Sequence, residues 1–169
     1  MDRDELRSLQ APLKQQYRDT PESAVITLEA SGELGAESVS CSVRTGQALV
    51  DAGLHPATGG DGFHACSGDM LLQALVACAG VTLRSVATAR GLNVRGGIIR
   101  AEGDLDFRGT LGIDKEAPVG FRAIRLLVDL DTDESAEDVA ALMATTEKYC
   151  VVFQTLATSP HISVVVSSD

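Results

Sequence analysis

Tryptophan is absent, and the other aromatic residues are few: four Phe and two Tyr in 169 residues. Any core must therefore be mostly aliphatic. Basic residues are also scarce, 14 against 24 acidic, for a net charge of −10. No basic cluster stands out, which argues against a nucleic-acid surface or an anionic membrane face. The longest apolar run, Met70 to Leu83, is interrupted by Gln73 and falls short of the roughly 20 residues that span a bilayer. The first residues, Met-Asp-Arg-Asp-Glu-Leu-Arg, contain no apolar h-region, so no secretory signal is visible. The four cysteines (Cys41, Cys66, Cys78 and Cys150) form neither a CxxC pair nor a disulfide-dense scaffold. That usage predicts a reducing cytoplasm, where a cysteine pair is more often catalytic than structural. His64, Cys66, Cys78 and Cys150 match no zinc spacing, so no metal is expected. Thr58-Gly-Gly-Asp-Gly62 lacks the lysine of a phosphate-binding loop and reads as a plain flexible connection.

What is present suffices for a single domain with a core, since 44% of the residues are hydrophobic. Leu6, Leu9, Leu13 and Tyr17 recur at helical spacing, and Pro12 should bend or divide that helix. From Ala24 to Thr45 the texture becomes strand-like, with Val39, Cys41 and Val43 alternating with polar residues. Ser31 to Ala36 reads as a turn between two strands. Residues 52–68 form a glycine-rich loop holding His55, His64 and Cys66. A long, mostly apolar helix follows, capped by Ser67, with Asp69 in its first turn and Gly91 at its end. Leu71, Leu75, Cys78 and Thr82 share one stripe of it, and it should be a central buried helix. Ile99 to Phe107 and Ile124 to Leu130 alternate as antiparallel strands, joined through Gly109 to Gly120. Ser135, with Asp138 three residues on, opens a second helix. That helix carries Cys150, and its apolar pattern extends through Phe153 and Leu156. Pro160 ends the region, and His161 to Val166 reads as a final strand. The class is α+β, with antiparallel sheets around a long central helix.

Two segments carry most of the chemistry: Asp69-Met-Leu-Leu-Gln-Ala-Leu-Val-Ala-Cys78 and Glu147-Lys-Tyr-Cys150-Val-Val. In this order and spacing they resemble the cysteine-bearing segments of the OsmC/Ohr family. The resemblance implies an OsmC-like domain over residues 22–169, with residues 1–21 as a helical extension. It further implies an intertwined homodimer with the active sites at the subunit interface. Cys78 takes the place of the attacking thiol and Cys150 that of the resolving one. Attack by a thiolate on a peroxide O–O bond yields a sulfenic acid, which the second thiol condenses to a disulfide.

The chain departs from the family pattern around these cysteines. Ser67 stands where peroxide-reducing members have proline, and Gly68 and Asp69 stand in place of their paired acids. No arginine or lysine occurs between Val50 and Asp69, where those members carry their thiol-activating arginine. Arg44 or His64 is then the candidate cation, Asp69 and Glu147 are candidate carboxylates, and Cys66 is a candidate alternative thiol. Cys41 and His161 read as structural. The resemblance implies thiol-dependent reduction of organic hydroperoxides, with a thiol or dithiol as reductant and no bound cofactor. The alternative is a protein of the same fold that holds an apolar small molecule at the dimer interface without turning it over.

Overall fold

The computed structural model describes residues 2–25, 32–34, 40–45 and 48–167, with only the backbone at 21–22, 32–34, 40–45 and 48. The chain opens with helix α1 (Arg3–Asp19), whose start is closed by a reciprocal pair: the Asp2 side chain accepts from Asp4 and Glu5 N–H, while Glu5 accepts from Asp2 N–H. Pro12 lies inside α1 without dividing it. The carbonyl that loses its partner to the proline ring is on an exposed helix, where water can serve it. A sheet of three antiparallel strands follows in the order β1 (Gly32–Leu34), β2 (Ser40–Thr45), β3 (Ala48–Gly53). β1 occupies part of the expected turn at Ser31 to Ala36: Gly32, Glu33 and Leu34 pair with Val43, Ser42 and Cys41. The strand expected just after Ala24 lies outside the described residues, as does the side chain of Cys41.

Helix α2 runs from Ser67 to Arg90, 24 residues. Cys66 rather than Ser67 is its N-cap, and Gly91 closes it in the left-handed conformation at φ 72°. By length and composition α2 could cross a bilayer, being longer than the run from Met70 to Leu83 suggested. Here it packs against α1 and against three of the elements that follow it. Its core stripe is Leu75, Ala79, Leu83 and Ala87, an i, i+4 ladder alternating one large and one small side chain. The stripe expected through Leu71 is displaced: Leu71 is exposed, while Cys78 and Thr82 are half-buried. Within this single chain α2 is thus buried on one side only.

The strands β4 (Val94–Asp104) and β5 (Ala123–Thr132) pair antiparallel and lay Ile99, Val128 and Leu130 against the core. A side chain at Gly97 would run into the Asp129 carbonyl, so the close strand crossing there requires glycine. The strand ends at Asp104. Phe107, expected in it, instead begins the short helix α3 (Phe107–Thr110), capped by Asp106. Arg108 holds the Asp106 carboxyl down to about 2, and both brace this connection.

Helix α4 (Ala136–Tyr149) is capped by Ser135, whose hydroxyl accepts from Asp138 N–H at 3.1 Å. α4 ends at Tyr149, and a separate helix α5 (Val151–Ala157) begins one residue later. The expected continuous helix is therefore broken at Cys150, which has extended backbone angles, φ −75° and ψ 109°. Residues His161 to Val166 form no regular strand in the single chain, and Ile162, Val164, Val165 and Val166 are exposed.

Leu142 of α4 is 1% exposed and completes the cluster of Leu83, Ala87 and Val94. Leu142→Ala should cost about 2–5 kcal/mol through lost burial and the cavity left behind. In urea denaturation the midpoint should fall while the slope stays unchanged.

Candidate active site

The break at Cys150 decides what this region can do. A helix that restarts leaves its first N–H groups without intrahelical acceptors. Here the N–H groups of Val151 and Val152 turn to the sulfur of Cys78, on the fourth turn of α2. Cys150 is buried, 1% exposed, and Cys78 is half-buried; neither is in a disulfide. The two thiols form a hydrogen bond, so residues 72 positions apart in the sequence meet where α2 passes the junction of α4 and α5.

The two sulfurs are driven in opposite directions. Burial pushes the Cys78 thiol up. The Val152 N–H, the Cys150 thiol, the Val151 N–H and the Thr82 hydroxyl all donate to its sulfur, and together they outweigh burial and hold it below the ordinary thiol range. For Cys150, burial raises the thiol; the Phe153 N–H opposes this, and donation to Cys78 reinforces it. Cys78 is accordingly the more acidic thiol of the pair, and Cys150 the one that keeps its proton to higher pH. Thr82, one turn along α2, was placed on the cysteine stripe by its spacing alone. The amides of Val151 and Val152 had no sequence signal except the break itself.

The other candidates lie elsewhere. Asp69 and Cys66 are nine and twelve residues before Cys78, about 13 and 18 Å along the helix axis. They border a separate cleft with His55, whose ring stacks on Phe107 at 5.0 Å. His64 faces Asp61 at 3.6 Å and packs beside Gly53. Arg44 sits on β2 opposite Leu49, with its side chain outside the described residues. Glu147 is exposed, and its carbonyl accepts from the Gln154 side chain at 2.8 Å across the helix break. Arg84, the first arginine after Cys78 on α2, donates to the Val94 carbonyl. Among the described residues, the groups lowering the Cys78 thiol are uncharged backbone, hydroxyl and thiol donors. No group of three or more metal-ligating side chains occurs among the described residues.

A cleft of about 350 Å³ lies along α2 and α5, with neighbours of both cysteines but neither cysteine itself in its lining. Leu75, one turn before Cys78, forms part of it with Phe121, Ile124, Leu126, Phe153 and Leu156, and Arg122 stands at it as the one charged residue. Such a lining accepts an apolar chain.

Residues 59–165 match the family described as OsmC-like protein. No curated protein sequence matches the chain. Among solved structures, an OsmC-like protein from Mycoplasma pneumoniae is similar at 19% identity and a TM-score of 0.65, covering 79% of this chain and 89% of its own. An organic hydroperoxide resistance protein OsmC from Legionella pneumophila is similar at 18% identity and a TM-score of 0.61, covering 79% and 90%. The organic hydroperoxide resistance protein OhrB of Bacillus subtilis is similar at 18% identity and a TM-score of 0.56, covering 80% and 94%. At these identities the structures show a shared fold.

The sign of the two thiol shifts can be read by iodoacetamide labelling with peptide mapping across pH. Thiolate reactivity at Cys78 should persist below the pH at which free cysteine loses it, and fall only as pH drops through the lowered value. Cys150 should label only at higher pH than free cysteine. Thr82→Val should move the Cys78 midpoint upward by removing one donor.

Proposed function

Because the chain belongs to the OsmC-like protein family, we propose that it reduces organic hydroperoxides with Cys78 and Cys150. The observation that carries this reading is the thiol pair itself: a thiol made more acidic by the donors around it, beside a second thiol held above the ordinary range. The Cys78 thiolate attacks the distal oxygen of ROOH, the O–O bond breaks, and the alkoxide takes a proton to leave as ROH. Cys78 is then a sulfenic acid. The Cys150 sulfur displaces its hydroxyl as water, forming the disulfide. The balance is one ROOH and two thiols to one ROH, one water and one disulfide. An external dithiol in a reducing cytoplasm returns the pair to its starting state. Among the described residues the donors around Cys78 are uncharged, so in this reading the thiol is activated through amides, a hydroxyl and the second thiol.

The homodimer belongs to the same reading. On α2, Leu71, Ala74, Ala77 and Val81 form an apolar stripe left open in the single chain, with Val81 70% exposed. A second copy would cover it, and the exposed Ile162 to Val166 is a further apolar surface for that copy. The second reading, an apolar-ligand protein without turnover, is favoured by the cleft at Leu75 and by the uncharged surroundings of Cys78.

Reaction with one equivalent of cumene hydroperoxide separates the two readings. Rapid loss of two protons in the non-reducing mass, mapped to Cys78–Cys150, is the expected result. Cys78→Ser should abolish it, and Cys150→Ser should leave a sulfenic acid that dimedone traps. Oxidation no faster than that of free cysteine would sink the peroxidase reading. Separately, Val81→Glu should shift the mass measured by light scattering from dimer to monomer.

A further inference from the structure

The apolar cleft has two unlike walls. Leu75 of α2 and Ile124 and Leu126 of β5 belong to the packed body of the domain. Phe153, Leu156 and Ala157 all come from α5. That helix has seven residues, too few to be stable alone. It packs on α2 and α4, and its described polar tethers crowd its N-terminal half. They are the chain turn at Cys150, the Gln154 side-chain amide on the Glu147 carbonyl, and the Val151 and Val152 N–H groups on the Cys78 sulfur. No regular element follows α5 among the described residues.

We propose that α5 couples the cleft to the thiol pair: an apolar chain in the cleft and a thiolate at Cys78 favour the same docked position of this helix. Closing the Cys78–Cys150 disulfide then weakens the cleft's hold on its occupant. The inference rests on the thiol-pair reading for its biological sense, though not for its physics. An anionic sulfur is a strong acceptor for two N–H groups, whereas a disulfide sulfur is a weak one. Losing the anion loosens the end of α5 that places Phe153 and Leu156. Among the described groups that act on the Cys78 sulfur, Cys150 alone titrates; Thr82 and the two amides do not. The coupling must be reciprocal, since binding free energies close a cycle. In turnover, the hydroperoxide is gripped while Cys78 is a thiolate, and the spent alcohol is released once the disulfide forms.

The probe is 1-decanol, which carries an apolar chain and no peroxide. Its affinity is measured by calorimetry for the reduced protein above and below the Cys78 midpoint, and for the protein oxidised with diamide. The Cys78 midpoint comes from iodoacetamide labelling with and without saturating decanol. The expected result is about fivefold tighter binding to the thiolate form than to the thiol form, with the midpoint lowered by decanol by about 0.7. The disulfide form should bind more weakly than the thiolate form. Equal affinities with an unmoved midpoint, a raised midpoint, or no binding at all would overturn the proposal. So would decanol that binds Leu156→Ala as tightly as the unmodified protein, because it would then sit elsewhere. None of these measurements uses a peroxide, so failure of the peroxidase reading would show only in the cumene hydroperoxide reaction.

Discussion

The site depends on one interruption. Had α4 run on through Cys150, the amides of Val151 and Val152 would each have bonded a carbonyl one turn back, and the half-buried Cys78 sulfur would have lost both of these donors. Burial alone raises a thiol. The break reverses that outcome by turning backbone N–H groups, which every residue but proline carries, into the donors a thiolate needs. It also sets Cys150 at the junction, where its own extended backbone brings its thiol onto the same sulfur. The lowering of the Cys78 thiol and the presence of a second thiol beside it thus follow from a single change of backbone direction.

Much of the architecture was legible because its signals are periodic. The span of α2 follows from its apolar run, Asp69 and Gly91; the strand pair follows from the alternation through Ile99 and Ile124; the start of α4 follows from Ser135. The misreadings share a cause, for they occur where local pattern gives way to a contact or a backbone choice. Pro12 sits in a helix because exposure lets water replace the lost partner. Phe107 leaves the strand because Asp106 caps a new turn. Cys150 interrupts a helix whose apolar spacing continues undisturbed through Leu156, so periodicity carried no trace of the break. The meeting of Cys78 with Cys150 was legible only through resemblance to a family, since nothing in the spacing of one helix reports its distance from another.

The half-open α2 shows how the same sequence answers two demands. Its ladder of Leu75, Ala79, Leu83 and Ala87 lets large side chains fill the core while the alanines admit close neighbours. Its opposite stripe keeps apolar residues where a monomer would prefer polar ones. A helix apolar nearly all round is satisfied only when both sides are covered, and the single chain covers one. The acidic net charge of −10 lies on other surfaces, such as the outer face of β4 and β5. There Arg95 bridges Asp131 and Asp133, and Arg125 bridges Glu102 and Asp104.

The lack of tryptophan has an optical side. Ultraviolet emission from this protein is left to Tyr17 and Tyr149. Tyr149 is the last residue of α4, directly before the buried thiol, with the Lys148 ammonium 5.4 Å from its ring centre. A natural fluorophore therefore stands on the joint between the two helices. Its companion, Tyr17, sits far along the chain in α1 and serves as an internal reference. Any rearrangement at that joint is written into the protein's own light, with no label attached.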